Sequence, residues 1–404
     1  MNILVFNCGS SSQGFTVFHR NEHADPDVLI SGKARNVATK TKAGGVLEWV
    51  VDGVTNGIET DLSSHATAAE KIIGILKDYE VRIDAVGHRF VNGGRYFRRT
   101  ALLDADALEK LRLCMPLAPI HNPNSYSVIE VCQEQLPGVP QYAVFDTAFH
   151  AFLPAENTAY AIPQQDAEAN GWHKIGFHGL SYQYVSKRAA VLLGKPLDKV
   201  KLIMCHLGTG GASVCAFRDG HSVDTSMGCS TAAGLVMSTR CGDIDPGIVL
   251  DMIRKGWTPD QVSAYLTRES GLIGLSAYSS NLGEIIEAAE QGNKACELAF
   301  NVYVNRLRHY IGAYLYELNG ADALIFTDDA GIKFAKMREA ACRNGEFLGL
   351  KLDLDKNYAY DKKSEACISS ADSQVQIWVI PTNEELTIYN ELAGNGEELE
   401  IREK

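Results

Sequence analysis

The sequence predicts an α/β protein built from two related domains. Three observations predict it. Short, continuously apolar runs alternate with helix-period segments along the chain. A strand–loop–strand pattern near the N-terminus recurs about 200 residues later. The 404 residues suffice for two domains of ordinary size.

Composition narrows the function classes. Hydrophobic residues make up 46% and charged residues 22%, as in an ordinary folded protein. Lys+Arg number 38 against 50 Asp+Glu, a net charge of −12 with no basic run. Nucleic acid and anionic membranes are therefore excluded as partners. An anionic ligand must be held by local arginines, backbone N–H groups or a metal. The ten cysteines are scattered and form no C-x-x-C pair, which argues against zinc or thioredoxin chemistry. The apolar run at residues 3–6 is too short for a signal peptide or a membrane span. A cytoplasmic protein with reduced thiols is expected.

Strands are expected over residues 3–6, 85–87, 142–145, 202–205, 323–326 and 375–380, each too apolar to be half exposed. A helix is expected from Asn122-Pro123 through Val128, Ile129 and Val131, with proline in its first turn. Another runs from near Ser181 to Gly194. A long one covers about residues 295–316, with Phe300, Val304, Leu307 and Ile311 on one face. After Pro381, Thr382 and Glu385 fit a capping box for a last helix, leaving Glu384 free. The first domain is placed at residues 1–150 plus about 382–404, and the second at 151–381.

The repeat pairs 3–18 with 202–217. Each reads as a strand, a small polar loop and a further strand, and Gly and Ser let the loop's N–H groups form an anion nest. Two such loops facing one cleft would grip neighbouring phosphates; the alternative is two ordinary glycine-rich hairpins.

Five segments could carry chemistry. Arg89 lies between glycines at a strand end, its planar fork suited to a carboxylate or phosphoryl group. Asp146 stands where an apolar strand ends, placed to orient a nucleophile, accept a proton, hold a metal, or simply cap a helix. His178 precedes a helix, where it can donate to a phosphoryl oxygen or serve as a structural histidine. Arg240 shares a short loop with Asp243 and Asp245, which also reads as a salt-bridged loop. Glu384 either serves the helix dipole or reaches magnesium.

N-C-G-S-S-S, G-H-R-x-V-x-G-G, L-A-P-x-H-N-P, F-D-T-A-F-H, G-F-H-G-x-S, H-L-G, D-T-S-M-G, R-C-G-D-I-D-P, E-S-G-L-x-G and P-T-N-E-E-L occur in this order from Asn7 to Leu386. This set resembles the acetate kinase family of short-chain carboxylate kinases. The resemblance implies the duplicated actin-like fold of the acetate and sugar kinases (ribonuclease H-like), with two domains around a cleft. It implies reversible, Mg²⁺-dependent phosphoryl transfer between acetyl phosphate and a phosphate acceptor. Asn7 and Glu384 would place Mg²⁺, and Arg89 and Arg240 would bind the carboxylate and the migrating phosphoryl group. Asp146 would be the catalytic acidic residue and His178 a donor to phosphoryl oxygens. Val91, Ile120 and Phe177 would line a pocket for the methyl group. His206, Gly208, Thr209, Gly210, Asn281 and Gly331 fall at phosphate- or nucleotide-binding positions. Relatives of this kind are usually homodimers.

Departures from the family pattern cluster at the nucleotide. Gly14 stands where ATP-using members usually have a lysine in the first loop. The H-L-G-N-G run becomes His206-Leu207-Gly208-Thr209-Gly210-Gly211, and a run that meets the nucleotide is Asn281-Leu282-Gly283, without a cation. Asp328 and Asp329 replace small residues in the adenosine loop, and Thr231 replaces a proline near the acetate pocket. This resembles the pyrophosphate-type subgroup, which makes pyrophosphate from acetyl phosphate and orthophosphate. The alternatives are an ATP-dependent acetate kinase, a propionate or butyrate kinase, and a non-catalytic actin-like module.

Overall fold

Every apolar run becomes a strand. Five widen, and the last narrows to Gln376–Val379. The structure, a computed structural model, describes residues 1–21, 25–39 and 44–398, the last four of these by backbone alone. The end of the expected last helix, residues 399–404, lies outside them.

The chain divides into two compact units, Met1–Phe149 with Asn383–Lys404, and His150–Thr382. In the first unit, β1 (Asn2–Cys8), β2 (Ser12–His19), β3 (Asp27–Arg35), β4 (Gly45–Val51), β5 (Val54–Thr60), β6 (Ala85–Phe90), β7 (Ala101–Leu102) and β8 (Gln141–Phe145) form one sheet. Its order is β5-β4-β3-β2-β1-β6-β8-β7. In the second, β9 (Leu202–Leu207), β10 (Ala212–Arg218), β11 (His221–Thr225), β12 (Ala323–Thr327), β13 (Ala366–Cys367) and β14 (Gln376–Val379) follow the order β11-β10-β9-β12-β14-β13.

The two orders share a motif. β3-β2-β1-β6-β8 corresponds to β11-β10-β9-β12-β14, with the first strand of each unit antiparallel to one neighbour and parallel to the other. The hairpin turns match at hydrogen-bond level. The Gly9 N–H donates to the Ser12 carbonyl at 2.8 Å, and the Gly208 N–H donates to the Gly211 carbonyl at 3.1 Å. Register makes Asn7 opposite Gly14 the counterpart of His206 opposite Ser213. Gly14 thus lies within β2, not in the first loop, because the turn closes after only three residues.

The central strands are buried on both faces, as parallel strands require. In the first unit Leu4, Phe6 and Val17 pack with Ile72, Ile73 and Val128 of helices His65–Asp78 and Asn122–Gln135. Ser64 caps the first of these helices and Pro123 opens the second. The long helix is Lys294–Glu317, capped by Asn293. The last helix, Glu384–Glu398, corrects the expected capping box. Asn383, not Thr382, accepts the Leu386 N–H at 3.0 Å, while the buried Thr382 hydroxyl makes no hydrogen bond. The helix begins one residue later than the T-x-x-E spacing suggests, which turns Glu385 from a capping group into a site residue.

Candidate active site

In the first unit, polar residues converge at the carboxyl ends of parallel strands, where such sheets place ligand sites. β1 carries Asn7, β6 carries Arg89, Asp146 follows the last residue of β8, and Glu384 and Glu385 open the last helix. Arg89 is the hub. Its Nη2 and Nε donate to Asp146 Oδ2 at 2.7 and 3.2 Å. Its Nη1 donates to Asn7 Oδ1 and to Glu384 Oε2, both at 3.0 Å. Burial alone would lower the Arg89 pKa, but Asp146 and Glu384 outweigh it and hold the guanidinium charged. Asn7 Nδ2 donates to Glu384 Oε2 at 3.0 Å and to Glu385 Oε1 at 3.1 Å.

Glu385 is the residue that sequence reasoning missed, since its spacing imitated a cap. Three carboxylates around one guanidinium leave a formal excess of two negative charges. A side chain at position 14 would intrude, because a Cβ there would sit 2.7 Å from Glu385 Oε1 and 3.7 Å from Asn7 Cβ. Hard oxygen donors, surplus negative charge and this open cradle fit Mg²⁺, which binds through one or two protein oxygens and keeps its other waters. Val91 follows β6 and is buried, whereas Ile120 is 52% exposed in a turn.

In the second unit His178, His206, Arg240 and the Gly208–Gly211 turn come together. His178 adopts a left-handed backbone (φ 62°) immediately before helix Gly179–Leu193, two residues earlier than the expected start at Ser181. Its ring stacks on His206 with centroids 4.1 Å apart. A Cβ on Gly211 would lie 3.3 Å from His178 Nε2 and 3.4 Å from Arg240 Nη1, so both nitrogens aim at one point. Arg240 donates to the Thr231 carbonyl at 3.2 Å and, among the described residues, pairs with no carboxylate. Burial lowers its pKa, leaving a partly desolvated cation ready for an anion. Asp243 instead pairs with Arg306 at 3.3 Å, and Asp245 caps helix Pro246–Arg254. Phe177 is buried beside His178.

Of the nucleotide-position residues, Gly208, Thr209 and Asn281 line a cavity of about 100 Å³, and His206, Gly210 and Gly331 are not in its wall. Gly208, Thr209, Met237, Leu282 and Phe334 are in its wall, as is Asn281, whose side chain caps helix Leu282–Glu290. Two carboxylates tie the end of β9 and its turn to the short helix Asp328–Lys333. Asp328 meets His206 Nε2 at 3.1 Å, and Asp329 accepts from Thr209 Oγ1 and Lys333 Nζ, both at 2.8 Å. Nothing lies within 4 Å of a Cβ built on Gly210. Gly331 is held from behind, its carbonyl taking Arg338 Nη1 at 2.8 Å.

A profile described as the acetokinase family matches residues 2–390. An acetate kinase of Acetivibrio thermocellus is 41% identical over 97% of this chain and 98% of its own. The crystal structure of an acetate kinase from Entamoeba histolytica superposes with TM-score 0.87 at 41% identity, covering 98% of this chain and 99% of that one. A propionate kinase from Francisella tularensis superposes equally, with TM-score 0.87 at 37% identity over 96% and 98%. Matches that run nearly end to end in both sequence and fold place this chain in the acetokinase family.

Proposed function

We propose that this chain is an Mg²⁺-dependent acetate kinase whose phosphate partner is inorganic, interconverting acetyl phosphate plus orthophosphate with acetate plus pyrophosphate. Its family consists of phosphotransferases with a carboxyl group as acceptor, and in-line phosphoryl transfer needs positioning and charge neutralisation more than covalent help. Arg240 and the His178 Nε2–H neutralise the phosphoryl oxygens, and the guanidinium of Arg89 orients the carboxylate. Asp146 holds Arg89 in place, and Val91, Ile120 and Phe177 would meet the methyl group. Asn7 and Glu384 would hold Mg²⁺, which supplies positive charge to the phosphate oxygens. As the bond from the acyl oxygen to phosphorus breaks, acetate leaves as a carboxylate and needs no proton. A homodimer in the cytoplasm completes the reading. Among the described residues no helix is long and apolar enough to cross a membrane.

The observation that supports the choice of donor is the pair of carboxylate ties at this end of β9, Asp328 to His206 on the strand and Asp329 to Thr209 in the Gly208–Gly211 turn. Thr209 and Asp329 both line the cavity, so their link takes up wall that a nucleoside would have to lie along and that the smaller orthophosphate does not need. A second reading has its own support. Met237, Leu282 and Phe334 beside Asn281 form a wall chemically suited to a purine, which favours ADP. The deciding experiment gives enzyme, Mg²⁺ and acetyl phosphate either orthophosphate or ADP. Faster pyrophosphate formation supports the inorganic partner; faster ATP formation establishes the second reading.

A further inference from the structure

His178 does not face its turn alone. Its Nδ1 lies 2.7 Å from the hydroxyl of Ser213 on β10, and that hydroxyl lies 2.5 Å from the phenol of Tyr182. Tyr182 is four residues after His178, hence on the same face of the helix that His178 begins. Ser213 and Tyr182 are both fully buried, so each of their polar atoms must be satisfied by protein. His206, stacked on the other ring, is held separately by Ser181 at 2.9 Å and by Asp328.

We propose that Tyr182 and Ser213 are positioning residues for His178, a buried chain that fixes its tautomer. The phenol O–H donates to Ser213 Oγ, the Ser213 O–H donates to His178 Nδ1, and the imidazole proton is thereby kept on Nε2. Nε2 is the atom that converges with Arg240 on Gly211. Burial raises the Tyr182 pKa well above the ordinary phenol value, so this phenol remains a proton donor at the head of the chain. Without Ser213 the ring is free to carry its proton on Nδ1, leaving an acceptor lone pair aimed at phosphoryl oxygens. This inference rests on the role given above to His178.

Ser213→Ala, Tyr182→Phe, their double variant and His178→Ala, each checked for native circular dichroism, test it in full-length enzyme. Ser213→Ala is expected to lower kcat by about 10- to 100-fold with KM for acetyl phosphate changed less than about threefold. Tyr182→Phe should cost less, and the double variant no more than Ser213→Ala, because the phenol acts only through the serine. In ¹⁵N-histidine spectra the His178 signal, assigned by its loss in His178→Ala, should show the Nε2–H tautomer in wild type and lose that preference in Ser213→Ala. Losses that simply add in the double variant, or an unchanged tautomer, overturn the proposal. Wild-type kcat in Ser213→Ala and Tyr182→Phe with loss in His178→Ala overturns the chain while the site reading stands. Wild-type kcat in His178→Ala overturns both.

Discussion

Arg89 is held by Asp146, Glu384 and Asn7, so its side chain does two jobs. Arg89→Ala should lower kcat/KM at least about 100-fold, because the carboxylate loses its cation. It should also lower stability by about 3 kcal/mol in urea unfolding, since carboxylates gathered around one charge are left facing each other. Gly211→Ala separates activity from folding. Its methyl group would sit 3.3 Å from His178 Nε2 and 3.4 Å from Arg240 Nη1, in the space needed by an anion. A drop in kcat of about tenfold or more with an unchanged melting temperature is expected; wild-type kcat would show that the two nitrogens do not share a ligand. These single residues were unequally legible in the sequence. Arg89 and His178 stand in motifs whose neighbours are glycines. Glu385 was hidden by a spacing that fits a helix cap equally well, and Ser213 and Tyr182 acquire meaning only when β10 and a helix face are brought together.

The helix Gly271–Ser276 shows how an element positions a side chain it does not contain. Its first N–H groups are spent on the loop that carries Arg240: Leu272 donates to the Met237 carbonyl at 2.9 Å and Ile273 to the Ser238 carbonyl at 3.1 Å. Gly271 has φ +66°, and a Cβ there would collide with the Met237 carbonyl and lie 2.9 Å from the Arg240 nitrogen. Gly271→Ala should therefore destabilise the protein by about 2 kcal/mol and move Arg240. The check is a lowered urea midpoint together with a raised KM for the phosphate substrate. The first glycine of E-S-G-L-x-G is visible in the sequence, but its purpose is not, because the clash is with residues about thirty positions away. Element boundaries were legible wherever local chemistry set them. Two helix starts were not: the one expected near Ser181 begins at Gly179, and in the last helix Thr382 and Asn383 are both acceptable caps, of which Asn383 takes the Leu386 N–H.

At the scale of the molecule, each unit buries an imidazole that must stay neutral. His88 and His150 are both pushed down by burial, from 6.5 to about 4. His88 Nδ1 has no hydrogen-bond partner to receive a second proton. The unfolded chain thus binds these protons before the folded one does. Stability is full above about pH 6.5 and falls toward about pH 4, by up to about 1.4 kcal/mol per pH unit for each histidine. Urea midpoints at about pH 7.5 and about pH 5 check this; a flat profile would contradict it. The doubled strand order was legible because two hairpins kept the same run of apolar and small residues. How Asp328 and Asp329 are engaged, by His206 and by Thr209 and Lys333, was not legible, because their partners lie about 120 residues away or on the next helical turn.

The first unit is assembled from both ends of the chain, with Asn383–Lys404 joining Met1–Phe149. Synthesis is vectorial, so Asn7, Arg89 and Asp146 leave the ribosome long before Glu384 and Glu385 exist. A nascent chain therefore carries an incomplete charge cluster throughout translation of the second unit. If Glu384 holds the metal as proposed, a chain cut before residue 384 should make no acetyl phosphate at all, rather than turn over slowly.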